Sequence, residues 1–200
     1  MVWRGRLGHY RVEAVMASEE SAGPVIRTGR LLLRPLRLDD LPHLQRYATR
    51  PDFYRYLPGP AQTAATVAVF LEQRMLDAWD QPRTHWVFAI EPPEVGHIVG
   101  TVRTSIVNAQ EQTADLGYAM DLDFHGRGYM TEAAQAVLKF AFHELGMHRV
   151  WATVDPENAA SCRVLERLGM RREGHFRKDK LVRGEWRDTY LYALLKEEYK

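Results

Sequence analysis

The chain is short of cysteine, of net charge and of long apolar runs, and each shortage narrows what it can be. Its single cysteine, Cys162, excludes an internal disulfide framework and fits a reducing compartment. The 27 Lys and Arg residues against 26 Asp and Glu residues leave no global field that favours nucleic acid or a membrane surface as a partner. No segment reaches the roughly 18 to 20 apolar residues that cross a bilayer. We therefore expect a cytoplasmic protein with a small ligand.

Composition along the chain predicts one folded domain behind an N-terminal tail. Residues 1–26 lack regular periodicity and end in a Ser, Ala, Gly and Pro run that is typical of a linker. We predict a flexible tail over 1–26, which either stays free or docks on a partner chain, and a single domain over 27–200. Met16 is a candidate for the true start of translation.

The first half of the domain reads as strands and two helices. "RLLLRPL" predicts a strand, and Asp39 or Asp40 is placed as the N-cap of a helix that continues through Leu41, Leu44 and Tyr47. A second helix is predicted from about residue 63 to residue 79. "HWVFAI" and "GHIVGTVRTSIV" then predict two antiparallel strands joined by a turn that contains Pro and Gly.

The second half contains a β-α-β unit over residues 113–154. The strand "TADLGYAMDLD" leads to a helix whose apolar residues recur at spacings of three and four, and Gly146 is placed to end it. "HRVWATVD" is apolar in its middle, as expected of a parallel strand covered on both faces. A short helix and two strands around "RGEW" follow. The pattern predicts a mixed, twisted sheet flanked by helices, in the α/β or α+β class.

The stretch "HGRGYMTEA", residues 125–133, joins that strand to that helix. Free backbone N–H groups and a helix dipole at such a turn suit a phosphate or a pyrophosphate. A nucleoside-triphosphate loop would need Lys where Tyr129 follows Gly128, and a dinucleotide fingerprint would need a third glycine at Thr131. The residues of the loop alone predict either an anion site or an ordinary turn before a helix.

The similarity extends beyond the loop. "LGYAMDLDFHGRGYMTEA" followed by "HRVWATVDPENAASCRVLERLGMRREG" resembles the GNAT superfamily of acetyl-coenzyme A-dependent N-acetyltransferases. "TGRLLLRPL" and "RGEWRDTYLYAL" resemble its RimJ/RimL branch, which acetylates the N-terminal amine of ribosomal proteins. The resemblance covers residues 27–195. It implies the GNAT fold, acetyl-CoA as co-substrate, direct acetyl transfer to an amine and a possible homodimer.

The resemblance also implies which residues hold the coenzyme. The family's loop pattern falls on His125, Gly128 and Met130, where His125 replaces the usual Gln or Arg and Met130 replaces a small residue. Backbone amides of the loop would bind the pyrophosphate, and the main chain of the preceding strand would pair with the pantetheine arm and polarise the thioester. The implied coenzyme residues are Tyr118, Ala119, Met120, His125, Gly126, Arg127, Gly128, Tyr129, Met130, Thr131, Asn158 and Ser161.

Three residues are candidates for the chemistry: Ser161, Tyr118 and Asp115. Leu165 occupies the position where many family members carry a tyrosine acid, so the resemblance moves that role to Ser161 near the sulfur, with Asn158 on the pantetheine arm. From the residues alone, Asn158 caps a helix and Ser161 lies in its first turn. Asp115 is either a general base or a solvated carboxylate at a strand end.

No metal site is expected, because no Cys or carboxylate completes a set with His143 and His148. Cys162 is better explained as a small buried side chain than as a nucleophile. The acceptor most strongly implied is a protein N-terminus. The alternatives are a small amine (a polyamine, an amino sugar or an antibiotic) and a non-catalytic module that binds CoA as a sensor.

Overall fold

The structure of the chain, a computed structural model, describes residues 23–57 and 59–199. Eight strands form one sheet in the order β1-β2-β3-β4-β5-β6-β8-β7. Neighbouring strands are antiparallel except β5 and β6, which are parallel, so the predicted mixed sheet is confirmed. The strands are β1 Ile26–Arg27, β2 Leu32–Arg34, β3 His85–Glu91, β4 Gly100–Asn108, β5 Thr113–Met120, β6 Arg149–Val154, β7 Arg171–Val182 and β8 Glu185–Leu195.

Four α-helices accompany the sheet. They are α1 Leu41–Ala48, α2 Ala64–Leu76, α3 Tyr129–His143 and α4 Ala159–Arg167, and 3-10 turns lie at Leu38–Asp40, Pro51–Tyr54, Asp77–Trp79, Leu122–Phe124 and Lys196–Glu198. Thr63 begins α2 as a true N-cap, since its hydroxyl accepts a hydrogen bond from the Thr66 N–H. The predicted second helix is therefore shorter than expected, because its last turn tightens into a 3-10 turn.

The predicted tail is largely outside the described residues, as is Met16. Strand β1 begins at Ile26, inside the predicted tail, and pairs with β2. Within the described part of the chain, no helix is long and apolar enough to cross a membrane.

The sheet separates two apolar clusters, one on each face. Alternate residues of β3 show the division: Phe88 and Ile90 pack with α3, while Val87 and Ala89 pack with α1 and α2. Full burial of a Phe or Ile side chain contributes about 1.5–3 kcal/mol, so both layers stabilise the sheet.

Helix α3 fixes the position of the glycine loop that precedes it. Ala133, Ala134 and Ala141 are fully buried, and these small side chains alternate with the buried Val137 and Leu138 along the face that packs on the sheet. The helix ends at His143. Gly146, which the sequence predicted to end the helix, follows with the left-handed conformation (φ 69°) that is typical of glycine after a helix.

Strands β5 and β6 form the predicted parallel unit, but only over three residue pairs. The last of these pairs is Asp115 with Trp151. Beyond it β5 keeps pairing with β4 and β6 with β8, so the two strands separate and leave an opening between them.

A buried ion pair connects β2 to the start of α1. Asp40 occupies the N-cap position of α1, as predicted, but its carboxylate makes no capping hydrogen bond to that helix. It accepts two hydrogen bonds from the Arg34 guanidinium, at 2.9 and 2.7 Å, and a third from the Arg37 N–H at 2.8 Å. The charged partner on β2 comes close only once the chain is folded, so helix-capping rules predict the position of this aspartate but not the partner of its carboxylate.

Replacing Asp40 with alanine should lower the free energy of unfolding by about 3–5 kcal/mol, because Arg34 would stay buried without its main counter-charge. Asp52→Ala is the matched control. Asp52 pairs with Arg50 at the surface, where solvent and salt screen the charges, so its loss should change the free energy of unfolding little. Urea unfolding measures both variants, and equal losses would show that the buried pair is not a special source of stability.

Candidate active site

A cleft of about 970 Å³ lies where β5 and β6 separate. Every site residue predicted from the sequence lines this cleft except Arg127. The structure therefore brings β5 and the glycine loop that follows it together with the start of α4, which lies beyond α3 and β6 in the sequence.

The glycine loop presents backbone donors to this cleft. Gly126 and Gly128 have φ values of 77° and 80°, a conformation that costs other residue types about 1–2 kcal/mol. Among the described residues, nothing accepts a hydrogen bond from the N–H groups of Gly126, Arg127 and Gly128. The first N–H groups of α3 are also free of helical partners. Such a set of donors fits a pyrophosphate.

Arg30 attaches the loop to the turn between β1 and β2. Its Nη1 donates to the Arg127 carbonyl at 3.0 Å, its Nε donates to Glu132 at 2.8 Å, and its guanidinium lies 5.2 Å from the Tyr129 ring centroid. Glu132, in the first turn of α3, also accepts hydrogen bonds from the Thr28 hydroxyl at 2.6 Å and from the Arg30 N–H at 2.9 Å. Neither Arg30 nor Glu132 was predicted from the sequence, although both lie in segments that carry the family resemblance.

Side chains of the loop hydrogen-bond to the protein itself. His125 Nε2 lies 3.2 Å from the Met120 carbonyl, which accepts from the tautomer protonated there. The Tyr129 hydroxyl donates to Glu94 at 2.6 Å, and this hydrogen bond lowers the pKa of Glu94. The Arg127 guanidinium lies 4.9 Å from the Phe124 ring. The loop is therefore held by its side chains, and its amides are left for a ligand.

Tyr118 and Ser161 meet across the opening. Tyr118 Oη lies 2.9 Å from Ser161 Oγ, and either hydroxyl can donate. Burial raises the pKa of Tyr118 well above its ordinary value, so its hydroxyl stays protonated at neutral pH. Asn158 Oδ1 accepts from the Ser161 N–H at 3.1 Å, as expected of a helix cap. Leu165 stands at the position where the family resemblance places a tyrosine acid, and its side chain is buried in the core.

Asp115 is not a solvated strand-end carboxylate. Its side chain is 17% exposed, and both its oxygens accept from Arg103 Nη1, at 2.7 and 2.8 Å. A role as general base therefore requires this ion pair to open or a water molecule to bridge it. Arg103 was not predicted from the sequence, because it lies beside Asp115 only after β4 and β5 have paired.

A polar chain continues from Arg103 to α2. Arg103 Nη1 donates to Ser105 Oγ at 3.2 Å, and Ser105 also contacts His85 Nδ1. Arg74 Nη1 donates to His85 Nε2 at 2.8 Å, so His85 carries its proton on Nδ1. Burial and the charges of Arg74 and Arg103 lower the pKa of His85, which keeps the imidazole neutral at pH 7.

The structure gives no catalytic role to Cys162, and the described residues form no metal site. Burial raises the pKa of the Cys162 thiol, which disfavours the thiolate that a nucleophile needs. Among the described residues, no group of three or more His, Cys, Asp or Glu side chains is placed to hold a metal ion.

The comparisons with known proteins give the class of this fold and site. Residues 30–171 match the family model described as an acetyltransferase (GNAT) domain. The chain is 33% identical over 174 residues to an uncharacterized N-acetyltransferase, YnaD, of Bacillus subtilis, an alignment that covers 87% of this chain and 98% of the relative.

Two further proteins connect the chain to the RimJ/RimL branch. It is 30% identical over 121 residues to the [ribosomal protein uS5]-alanine N-acetyltransferase of Escherichia coli, and this alignment covers 60% of this chain and 62% of that protein. The solved structure of Mycobacterium smegmatis RimJ in complex with CoA-disulfide superposes with a TM-score of 0.75 at 26% identity, and covers 88% of this chain and 87% of RimJ.

The sheet of this chain opens between two parallel strands beside a glycine loop, and this fold is that of a GNAT acetyltransferase. The chain belongs to the GNAT family and is an acetyl-CoA-dependent N-acetyltransferase.

Arg30→Gln should weaken CoA binding about tenfold, because the loop carbonyl and Glu132 lose a charged donor. Binding of pantetheine, which lacks the pyrophosphate, should change little. Isothermal titration calorimetry of both ligands measures the difference, with Arg37→Gln as a control for the loss of one positive charge. An equal loss for both ligands would show that Arg30 supports the fold and not the loop.

Proposed function

We propose that the chain transfers the acetyl group of acetyl-CoA to the N-terminal α-amine of a protein, such as a ribosomal protein. The observation that carries the chemistry is the Tyr118–Ser161 hydrogen bond at the opening between β5 and β6, beside the glycine loop. The choice of acceptor is supported by the RimJ/RimL-like segments at both ends of the domain and by the uS5-alanine relative.

In this proposal the coenzyme lies in the opening with its pyrophosphate on the amides of residues 126–131. The amide side chain of Asn158 donates to the pantetheine arm, since only its oxygen is used by the helix cap. The main chain of Tyr118, Ala119 and Met120 pairs with the same arm, and one of its N–H groups stabilises the thioester oxygen as that oxygen becomes negative.

The neutral amine of the acceptor attacks the thioester carbon, and the carbon–sulfur bond breaks as the new carbon–nitrogen bond is completed. The departing thiolate takes a proton from Ser161, and Ser161 regains one from solvent through its hydrogen bond to Tyr118, which balances the proton that the amine releases. The amine releases its own proton to water, with Asp115 as the candidate carboxylate nearby. The products are the N-acetylated acceptor and CoA.

The charges of the cleft favour this acceptor over a polyamine. A polyamine site would need carboxylates available for several ammonium groups. The aspartates that line the cleft already have partners, which are Arg50 for Asp52, Arg103 for Asp115, Arg187 for Asp155 and His175 for Asp188. The cytoplasmic location and the homodimer inferred from the sequence stay predictions.

Ser161→Ala should lower kcat about 10- to 100-fold, because the thiolate loses its proton donor, while the Kd for CoA changes little. Tyr118→Phe should give a smaller loss in the same parameter. Cys162→Ala, which alters the adjacent side chain outside the proposed chemistry, is the matched control and should keep the parent kcat. Steady-state assays of thiol release measure all three, and an unchanged kcat in Ser161→Ala would remove this serine from the mechanism.

The acceptor is tested by thiol release from acetyl-CoA with peptides that carry free Ala, Ser or Met N-termini, beside polyamines, amino sugars and aminoglycosides. The expected result is turnover selective for peptides. Turnover confined to small amines would overturn the N-terminal assignment and keep the transferase chemistry. Tight CoA binding without turnover on any amine would favour the sensor alternative.

A further inference from the structure

Arg103 rests on a glycine in the middle of the neighbouring strand. It lies directly opposite Gly117 in the register between β4 and β5. A Cβ atom built on Gly117 would lie 2.8 Å from Arg103 Nε and 2.9 Å from both Cζ and Nη2. Real Cβ contacts are not this short, so the guanidinium can take this position only because residue 117 has no side chain.

The donors of Arg103 are unequally used. Nη1 makes all of its hydrogen bonds, to Asp115 and Ser105. Nε and Nη2 donate to none of the described residues, although the side chain is 38% exposed and lines the cleft. These two nitrogens form the side of a guanidinium whose parallel N–H groups match the two oxygens of a carboxylate.

The location of this free edge is next to the proposed chemistry. Gly117 lies just beyond the last residues of β5 that pair with β6, and the following residue, Tyr118, reaches Ser161. The side chains of β5 alternate between the two faces of the sheet, so Tyr118 points toward α4 and Arg103 lies on the face of α1 and α2. An acceptor that approaches from that face meets Arg103.

We infer that the Nε and Nη2 groups of Arg103 bind a carboxylate that the acceptor carries close to the amine that is acetylated. This inference rests on the proposed function and narrows its substrate class. The carboxylate has two possible sources, an acidic side chain within the first residues of a protein or the carboxylate of a free amino acid. Asp115 occupies the other end of the guanidinium, so both carboxylates fit without sharing a donor.

The test compares peptides that differ only in Glu or Gln at the second or the third position after a free N-terminal Ala. The parent protein should show kcat/KM about tenfold higher for a Glu peptide than for its Gln partner, because hydrogen bonds to charged groups are strong. In Arg103→Gln the ratio should fall below about twofold. Arg103→Lys should retain part of the preference for Glu, since an ammonium supplies the positive charge without the two parallel N–H groups of a guanidinium.

Two further variants separate recognition from general effects. Arg177→Gln removes one positive charge from β7, outside the cleft, and should keep the parent ratio. Gly117→Ala keeps the charge of Arg103 but displaces its guanidinium, and should lower the ratio as Arg103→Gln does. The thermal midpoint of each variant is measured alongside, so that a ratio is read only from folded protein.

The source of the carboxylate is tested with free alanine against alaninamide. Turnover of free alanine without turnover of peptides would assign the site to amino acids. Turnover of Glu peptides alone would assign it to acidic N-termini. Equal kcat/KM for Glu and Gln peptides in the parent protein, or a Glu preference that survives in Arg103→Gln, would overturn the inference.

A binding measurement separates the failure of this inference from the failure of the proposed function. Calorimetry of N-acetyl-Ala-Glu and N-acetyl-Ala-Gln peptides with the CoA-bound protein requires no turnover. Glu-selective binding that is lost in Arg103→Gln, without acetyl transfer to any amine, would keep the carboxylate site and overturn the transferase proposal. Transfer to peptides without any Glu selectivity would do the reverse.

Discussion

The separation of β5 from β6 is the constraint on which the rest of the site depends. Three parallel residue pairs fix the two strands at one end, and beyond Asp115 and Trp151 each strand pairs only with its other neighbour. Backbone groups that lose a strand partner need another one, and an extended ligand arm can supply it. Because the glycine loop follows β5 and α4 follows β6, both segments necessarily lie at the same opening. In the function we propose, the strand separation thus determines where the coenzyme, the thioester and the acceptor meet.

The loop beside this opening needs support from outside, because its own backbone amides do not tie it to the rest of the described chain. Gly126 and Gly128 hold left-handed conformations with amides that donate to no described residue. The buried face of α3 anchors one end of the loop, and the Arg30–Glu132 pair holds it to the turn between β1 and β2. A loop that is fixed before the ligand arrives loses less conformational freedom on binding, so its amides bind an anion more effectively.

Local patterns in the sequence predicted the elements, and long-range contacts explain what they missed. The periodicity of α3 and its stop at Gly146 are properties of neighbouring residues, so they were predicted correctly. Asp40 has the predicted N-cap position, but the partner of its carboxylate lies on another element and was therefore not predicted. A glycine inside a strand often marks a close approach of another group, and Gly117 carried that signal before its partner Arg103 was known.

The two sides of the cleft are built from different chemistry, and this explains why the fold predicts the coenzyme better than the acceptor. Backbone amides and left-handed glycines form the coenzyme side, so many side-chain replacements, such as His125 for Gln or Arg, leave its main donors in place. On the acceptor side the polar groups are arginine and aspartate side chains, and a single substitution changes the charge that an acceptor meets. Family membership therefore fixes the reaction, whereas we propose that pairs such as Arg103–Asp115 select the amine that enters it.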